Sequence, residues 1–392
     1  MKSTSLAIDA LATASARFVE EWRDADSAVR REARARLSGG LWSDAVIEQA
    51  LDNAFSMWNV ARVRETVRYL IEHSFECRLS TLVILPGNVI GPALHAALSA
   101  AMTGTRVLLK AASTESALAV IIERQWAVIG PPLAGALRSL AWKGGDVEAE
   151  ARAVSEAENV IVFGSDATIE AVRSRLPSGK RFKGHGTLYS VGVVFPDAEF
   201  TEAAEGAALD ICVFDQAGCM SPQTIYVAGD PSRALRFATA LDSAMRKTRL
   251  RLPRVAASPG EAAATADVLR RAHVTALPAA THGLAPILAG PDNNGAPDHL
   301  IIVEPQGPPT NHGFGRIVVV KPLELGCEPV LTQPIERLGV AGSAVDEREI
   351  ALALWGDPRD LVDTRVRLGT MQQPAGLKPD PLEFTMMRSD VI

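Results

Sequence analysis

Cys219 stands in the segment Phe214-Asp215-Gln216-Ala217-Gly218-Cys219-Met220-Ser221-Pro222-Gln223. A thiol there follows a helix-forming stretch and precedes a strand-forming one, on a turn loosened by Ala217-Gly218. A nucleophile needs such exposure and close backbone approach. The competing reading is a buried structural cysteine. That reading suits Cys77, Cys212 and Cys327 better, since Cys212 shares a helix face with Leu209 and Val213.

Four other places carry polar groups at strand ends. Asn88 follows an apolar run and a Pro-Gly turn, where its amide can donate to a developing oxyanion or cap a helix. Lys110 ends the run Arg-Val-Leu-Leu-Lys, at an edge where nucleotide phosphates or riboses bind. Gly164-Ser165 makes a strand-to-helix turn that suits a phosphate, although no GxGxxG is present. His185 lies between Gly184 and Gly186, on a segment too flexible for an ordinary core histidine. It is a candidate for orienting a thiol or for acid–base work. No two histidines have metal-ligand spacing, so no metal is expected.

These residues need a scaffold, and the chain alternates in the way that supplies one. Residues 4–37 and 43–76 carry apolar positions at helical spacing, with Gly39-Gly40 between them. Apolar runs at 80–85, 106–110, 137–141 and 159–163 then alternate with helical patterns at 89–102, 116–129, 148–157 and 166–175. That order predicts an α/β fold with a mostly parallel sheet and helices on both faces. A second α/β stretch has strands at 190–195 and 223–228 and helices at 200–214, 232–248 and 260–272. Shorter strands follow near 285–288, 300–303 and 317–321, and a helix at 347–355. The boundary between the two falls near Thr187.

Composition narrows the classes. The chain has 392 residues, 47% hydrophobic and 22% charged, enough for two or three α/β domains. A net charge of −6 argues against a nucleic-acid surface. No apolar run reaches the roughly 18 residues of a membrane span. The N-terminus lacks the core of a signal peptide, and four cysteines without a CxxC make no disulfide framework. A cytoplasmic protein with a free thiol is expected.

Taken in order, the motifs resemble the aldehyde dehydrogenase superfamily, and its LuxC-type acyl-CoA reductase branch in particular. The similarity runs from about residue 82 to residue 340. Pro86-Gly87-Asn88 resembles the Pro-x-Asn segment that supplies the oxyanion amide. Lys110-Ala111-Ala112-Ser113 occupies the place of the Lys-Pro-Ser/Ala-Glu ribose motif. Phe163-Gly164-Ser165 is similar to the turn beside the cofactor, and Asp215-Gln216-Ala217-Gly218-Cys219 to the nucleophile segment. Glu328-Pro329-Val330 resembles the end of Glu-x-Phe-Gly-Pro-Val. The resemblance implies an aldehyde-dehydrogenase-like fold. A helical region at 1–78 packs on a nicotinamide-cofactor domain at 79–186, followed by a catalytic domain at 187–371 and a tail at 372–392.

Departures from the family pattern set the expected chemistry. Hydrolytic members hold a water-activating glutamate about 34 residues before the cysteine, and 219 − 34 = 185, which here is His185. Without that carboxylate an acyl-enzyme should outlast water and exchange with a thiol. Ser113 stands where a glutamate would repel a 2′-phosphate, which favours NADPH over NADH. The nicotinamide-ribose glutamate has no match in register, Glu324 and Glu328 both being near.

The resemblance therefore implies reduction of an acyl-CoA or acyl-carrier thioester to an aldehyde. Cys219 is the nucleophile, Asn88 the oxyanion donor and His185 the acid–base group. Lys110, Ser113, Gly164 and Ser165 hold the cofactor, and CoA is the leaving group. A homo-oligomer or a partner acyl-transfer enzyme is expected by analogy. Two rivals stay open: an acyltransferase without a nicotinamide cofactor, and a non-catalytic subunit that docks partners through its N-terminal helices. A thiol of depressed pKa argues for catalysis and an inert one for a scaffold.

Overall fold

The computed structural model describes residues 2–373 except 57, 73–79, 104, 113–114, 187, 278–284, 314, 325–329, 332–334, 343–346 and 356–364. Ser113, Cys77, Cys327 and Glu328 thus lie outside the described residues. The chain divides into two compact units, with the break between Thr187 and Leu188.

The first unit opens with four helices: α1 (Lys2–Arg23), α2 (Ala28–Leu37), α3 (Asp44–Phe55) and α4 (Val60–Glu72). Each helical stretch of the sequence is thus broken once. Ser27 caps α2 by accepting from the Arg30 N–H, and Ser43 caps α3 from the Val46 N–H. Then β1 (Ser80–Ile84), α5 (Pro92–Thr103), β2 (Arg106–Lys110), α6 (Ser116–Ile129) and β3 (Leu137–Leu140) alternate. α7 (Val147–Glu156), β4 (Asn159–Phe163), α8 (Asp166–Arg173) and β5 (Arg181–His185) complete the unit.

Its five strands lie in the order β3-β2-β1-β4-β5 and every pairing is parallel. Leu82, Leu109 and Val160 are fully buried, as strands covered on both faces must be. The opening helices join this unit through an aromatic cluster. The Phe18 ring centroid lies 5.9 Å from that of Phe55 and 6.0 Å from that of Trp126 on α6. The buried Trp22 donates its indole N–H to Gln125 Oε1 at 2.7 Å.

The second unit contains β6 (Ser190–Val194), α9 (Phe200–Cys212), β7 (Pro222–Ala228), α10 (Pro231–Arg251) and α11 (Pro259–Thr275). β8 (Ile287–Ala289), β9 (Leu300–Val303), β10 (Ile317–Leu323), β11 (Leu338–Ala341), α12 (Glu347–Trp355) and β12 (Arg365–Arg367) follow. The sheet order is β12-β11-β6-β7-β10-β9-β8, antiparallel only between β8 and β9. All seven residues of β7 and all seven of β10 are buried. Three strands are additions to the sequence pattern. β5 is a polar edge strand, and β11 and β12 are short segments that extend the second sheet.

Candidate functional site

In the first unit the named residues cluster at the carboxyl edge of the sheet. Ile84 pairs with Lys110, and Phe163 with His185, so the ends of β2, β1, β4 and β5 stand side by side. The order reverses between β1 and β4, which is where open α/β sheets bind ligands. Leu85 N–H donates to Lys110 O at 2.9 Å, carrying the pairing past β1 to the Pro86-Gly87-Asn88 turn. Asn88 is exposed and lies four residues before Pro92 opens α5, so it does not cap that helix.

Lys110 is half-buried, with its ammonium 5.8 Å from the centre of the Trp142 ring. Burial pushes its pKa below the usual lysine range, against the pull of Glu150. Ser165 is the N-cap of α8 and accepts from the Thr168 N–H at 3.2 Å. Asp166 places a carboxylate in the first turn of α8, which weakens the attraction of that helix end for phosphate. Gly164 leaves the turn without a side chain. A Cβ there would press on Thr168 at 3.3 Å.

His185 ends β5, with its ring stacked on Phe163 at 4.4 Å and 9°. Its flanking glycines serve packing, contrary to the flexible segment expected from the sequence. A Cβ on Gly184 would come within 2.6 Å of Ile169, and one on Gly186 would collide with Asp166. The edge of this sheet brings together Asn88, Lys110, Gly164, Ser165 and His185.

The second unit holds Cys219. α9 ends at Cys212, and Phe214, Asp215 and Gln216 then take φ values of 62°, 50° and 63°. Three consecutive left-handed residues without a glycine cost about 1–2 kcal/mol each, so the surroundings must impose the turn. Arg316 does most of this. Its side chain is fully buried, and its Nε donates to Asp215 Oδ1 at 2.6 Å. Nη1 donates to Asp298 Oδ2 at 3.2 Å and Nη2 to Leu252 O at 2.8 Å.

Further bonds close the loop around the thiol. Gly315 N–H donates to Asp215 O at 3.0 Å. Gln216 Nε2 spans the cysteine to reach Pro222 O at 2.9 Å, and Ser190 Oγ donates to Cys219 O at 2.7 Å. Cys219 therefore sits exposed at the head of β7 on a rigid loop. Arg316 and Asp298 were not legible as part of this site, because their roles depend on contacts distant in sequence.

Although the residue is exposed, protein crowds its sulfur, and desolvation pushes the thiol up to about 11. The Glu336 carboxylate adds to the rise. Arg337 and the N–H groups of Cys219 and Met220 oppose it. The direction is opposite to the depressed pKa that would by itself argue for catalysis, so attack from this loop needs a proton acceptor. Alkylation of Cys219 by iodoacetamide should accordingly rise roughly tenfold per pH unit between about pH 7 and 10. Buried Cys212, pushed up to about 12, should stay unlabelled over that range. Peptide mapping of the label against pH checks this, and a rate flat above pH 7 would contradict it. Among the described residues no group of three or more His, Cys, Asp or Glu stands ready to hold a metal. No described helix is long and apolar enough to cross a membrane.

The acyl-CoA reductase (LuxC) family matches residues 42–324 of the chain, which include Cys219 and the named residues of the first unit. The chain belongs to the LuxC acyl-CoA reductase family. Among curated relatives of this LuxC-family chain, the long-chain acyl-protein thioester reductase of Photorhabdus laumondii is 29% identical over 159 residues, 40% of this chain and 33% of the relative. Long-chain acyl-protein thioester reductase 2 of Photobacterium leiognathi is 27% identical over 150 residues, 38% of this chain and 31% of the relative. The matched part thus spans about a third of these relatives' own length. An NAD-dependent benzaldehyde dehydrogenase from Corynebacterium glutamicum superposes with a TM-score of 0.61 at 15% identity, over 90% of this chain and 78% of its own. The LuxC-family chain thus has the aldehyde-dehydrogenase-like fold that its motifs implied.

Proposed function

We propose that the protein reduces an acyl thioester, carried on CoA or on a carrier, to the aldehyde through a thioester at Cys219. The observation that carries this reading is the exposed Cys219 on a strained, tightly bonded loop in a LuxC-family chain. A loop so constrained holds its nucleophile at a fixed angle to an incoming carbonyl.

In the proposed cycle Sγ of Cys219 attacks the acyl carbon and gives up its proton, and His185 is assigned the acid–base role. The Asn88 amide and the Cys219 N–H stabilise the oxyanion, and the CoA or carrier thiol leaves with a proton. NADPH, when bound, supplies the hydride that reduces the acyl carbon. With a proton from solvent the reduced carbon becomes a thiohemiacetal at Cys219, which collapses to release aldehyde and restore the thiol. His185 in place of a carboxylate disfavours water as the competing acceptor.

The first unit's sheet edge suits a dinucleotide. It lies at the order reversal, Lys110 offers a half-buried ammonium, and Gly164 bares the backbone. Lys110, Ser113, Gly164 and Ser165 are assigned to the cofactor. Glu115, the described carboxylate nearest to Ser113 in sequence, is buried against α5 and takes no part in ribose binding. That supports NADPH over NADH.

The test is aldehyde formation from acyl-CoA and acyl-carrier thioesters of short, medium and long chains, with NADPH. One aldehyde per NADPH consumed is expected, and no aldehyde from any of them would overturn the reading. Asn88→Ala should lower kcat by roughly 100- to 1,000-fold, the size expected for an oxyanion donor, with KM for NADPH little changed. A loss confined to KM would remove Asn88 from that role.

A further inference from the structure

Glu115 has its carboxyl enclosed against the connection that follows the Pro86–Asn88 turn. It is 0% exposed, and it precedes α6 as that helix's N-cap residue. Its Oε1 accepts from the Gly91 N–H at 2.8 Å, and the Ala93 N–H also bonds the carboxyl. Pro92, between them, has no N–H to give. Glu115 therefore satisfies the two amide donors that flank Pro92 at the start of α5, where the helix dipole favours a negative group. Its Oε2 is buried and has no hydrogen-bond partner among the described residues.

The location gives this carboxyl a task. Asn88 is three residues before Gly91 on the same short connection from β1 to α5. At the other end of that connection, Leu85 is bonded to Lys110 O. The turn that carries the amide is thus pinned at both ends to the segment 110–115, once by backbone and once by Glu115. Gly91 itself has φ +119°, a conformation that side chains rarely adopt, so the backbone at this point is set for glycine.

We infer that Glu115 is a positioning residue for the oxyanion donor, fixing the Asn88 turn through the Gly91 and Ala93 amides. The inference rests on the proposed role of Asn88 in acylation. Burial pushes Glu115 up to about 8, with the two N–H groups opposing. No cation faces it among the groups that shift it. Ionisation above about pH 8 puts a full charge on the acceptor of both bonds and tightens them. Below that pH the neutral acid still accepts through Oε1.

The test uses full-length Glu115→Ala, Glu115→Gln, Asn88→Ala and the double variant Glu115→Ala/Asn88→Ala. Hydrogen exchange of the amides in 86–93 reads the turn without reference to activity. Exchange at least tenfold faster in Glu115→Ala, and near wild type in Glu115→Gln, is expected. Unchanged exchange in Glu115→Ala overturns the inference. Should the alanine variant fail to fold, the glutamine variant still decides the matter through its pH profile. Wild-type acylation of Cys219 should show an inflection near pH 8 that Glu115→Gln lacks, and an inflection kept in Glu115→Gln overturns the inference.

The acylation rate of Cys219 then tests the route of action. Glu115→Ala should slow it at least tenfold, and the double variant should be no slower than Asn88→Ala alone. Losses that multiply would mean that Glu115 does not act through Asn88, and would overturn the inference. A wild-type protein that never acylates defeats the proposed function instead, whatever the exchange data show of the turn.

Discussion

Cys219→Ala is expected to abolish thioester reduction, with a fall on the order of 10^4-fold or more in kcat/KM, as for other lost nucleophiles. The size follows from covalent catalysis. Without Sγ no thioester forms, and oxyanion donors alone have nothing to stabilise. The fold should survive, because Cys219 is exposed and its loop is held by backbone and by neighbours on either side of it. A surface change of this kind is usually worth about 0.5 kcal/mol or less. Cys219→Ser should be nearly as inactive, since a hydroxyl is a far weaker nucleophile at neutral pH. Cys212→Ala separates the two thiols. It empties a buried site and should cost stability while leaving chemistry in place. Aldehyde formation by Cys219→Ala at the wild-type rate would sink the covalent scheme.

Arg316→Met should destabilise the protein by about 3–5 kcal/mol, the usual cost of breaking a buried charge pair from one side. The methionine fills much of the space but leaves Asp215 and Asp298 facing each other's charge without the guanidinium. It also frees the left-handed turn at 214–216 to relax, so Cys219 should lose its fixed position. Arg316→Lys should not rescue, because one ammonium cannot reach Asp215, Asp298 and Leu252 O together.

The pH dependence has a definite sign. Burial already raises the Asp215 pKa, with Arg316 opposing, and removing the arginine raises it further. A carboxyl whose folded pKa is raised contributes most below its unfolded pKa, and that contribution is lost as pH rises through the folded value. The variant should therefore lose less stability near pH 5 than near pH 8. Denaturant midpoints at the two values measure this. A loss below about 1 kcal/mol at both would show that Arg316 does not hold the turn.

Much of the scaffold was legible because its signal is local. The runs at 80–84, 106–110 and 159–163 each hold three or four consecutive apolar residues, as the central stretch of a strand buried on both faces must. β5 was not, because Arg181-Phe182-Lys183-Gly184-His185 is half-exposed and its glycines look like a loop. They answer to Ile169 and Asp166 across the unit, which no local pattern reveals. β11 and β12 escaped for a similar reason, being four and three residues long and defined by pairing with distant strands.

The site divides in the same way. A cysteine after Ala-Gly at a strand head announces itself. The left-handed turn before it does not, since Phe, Asp and Gln rarely adopt positive φ. Arg316, which imposes that turn, bonds Asp215 across a separation of 101 residues. Glu115 was likewise invisible, because glutamate is not a favoured N-cap and its partner Gly91 lies 24 residues earlier.

The most direct test of the account is intact-protein mass spectrometry after incubation with an acyl-CoA in the absence of NADPH. The protein should gain the mass of one acyl group, located at Cys219 by peptide mapping. Adding NADPH should discharge it as aldehyde, and Cys219→Ala should show no gain. A wild-type protein of unchanged mass with every acyl-CoA and acyl-carrier donor, or an acyl group on another residue, would contradict a thioester at Cys219.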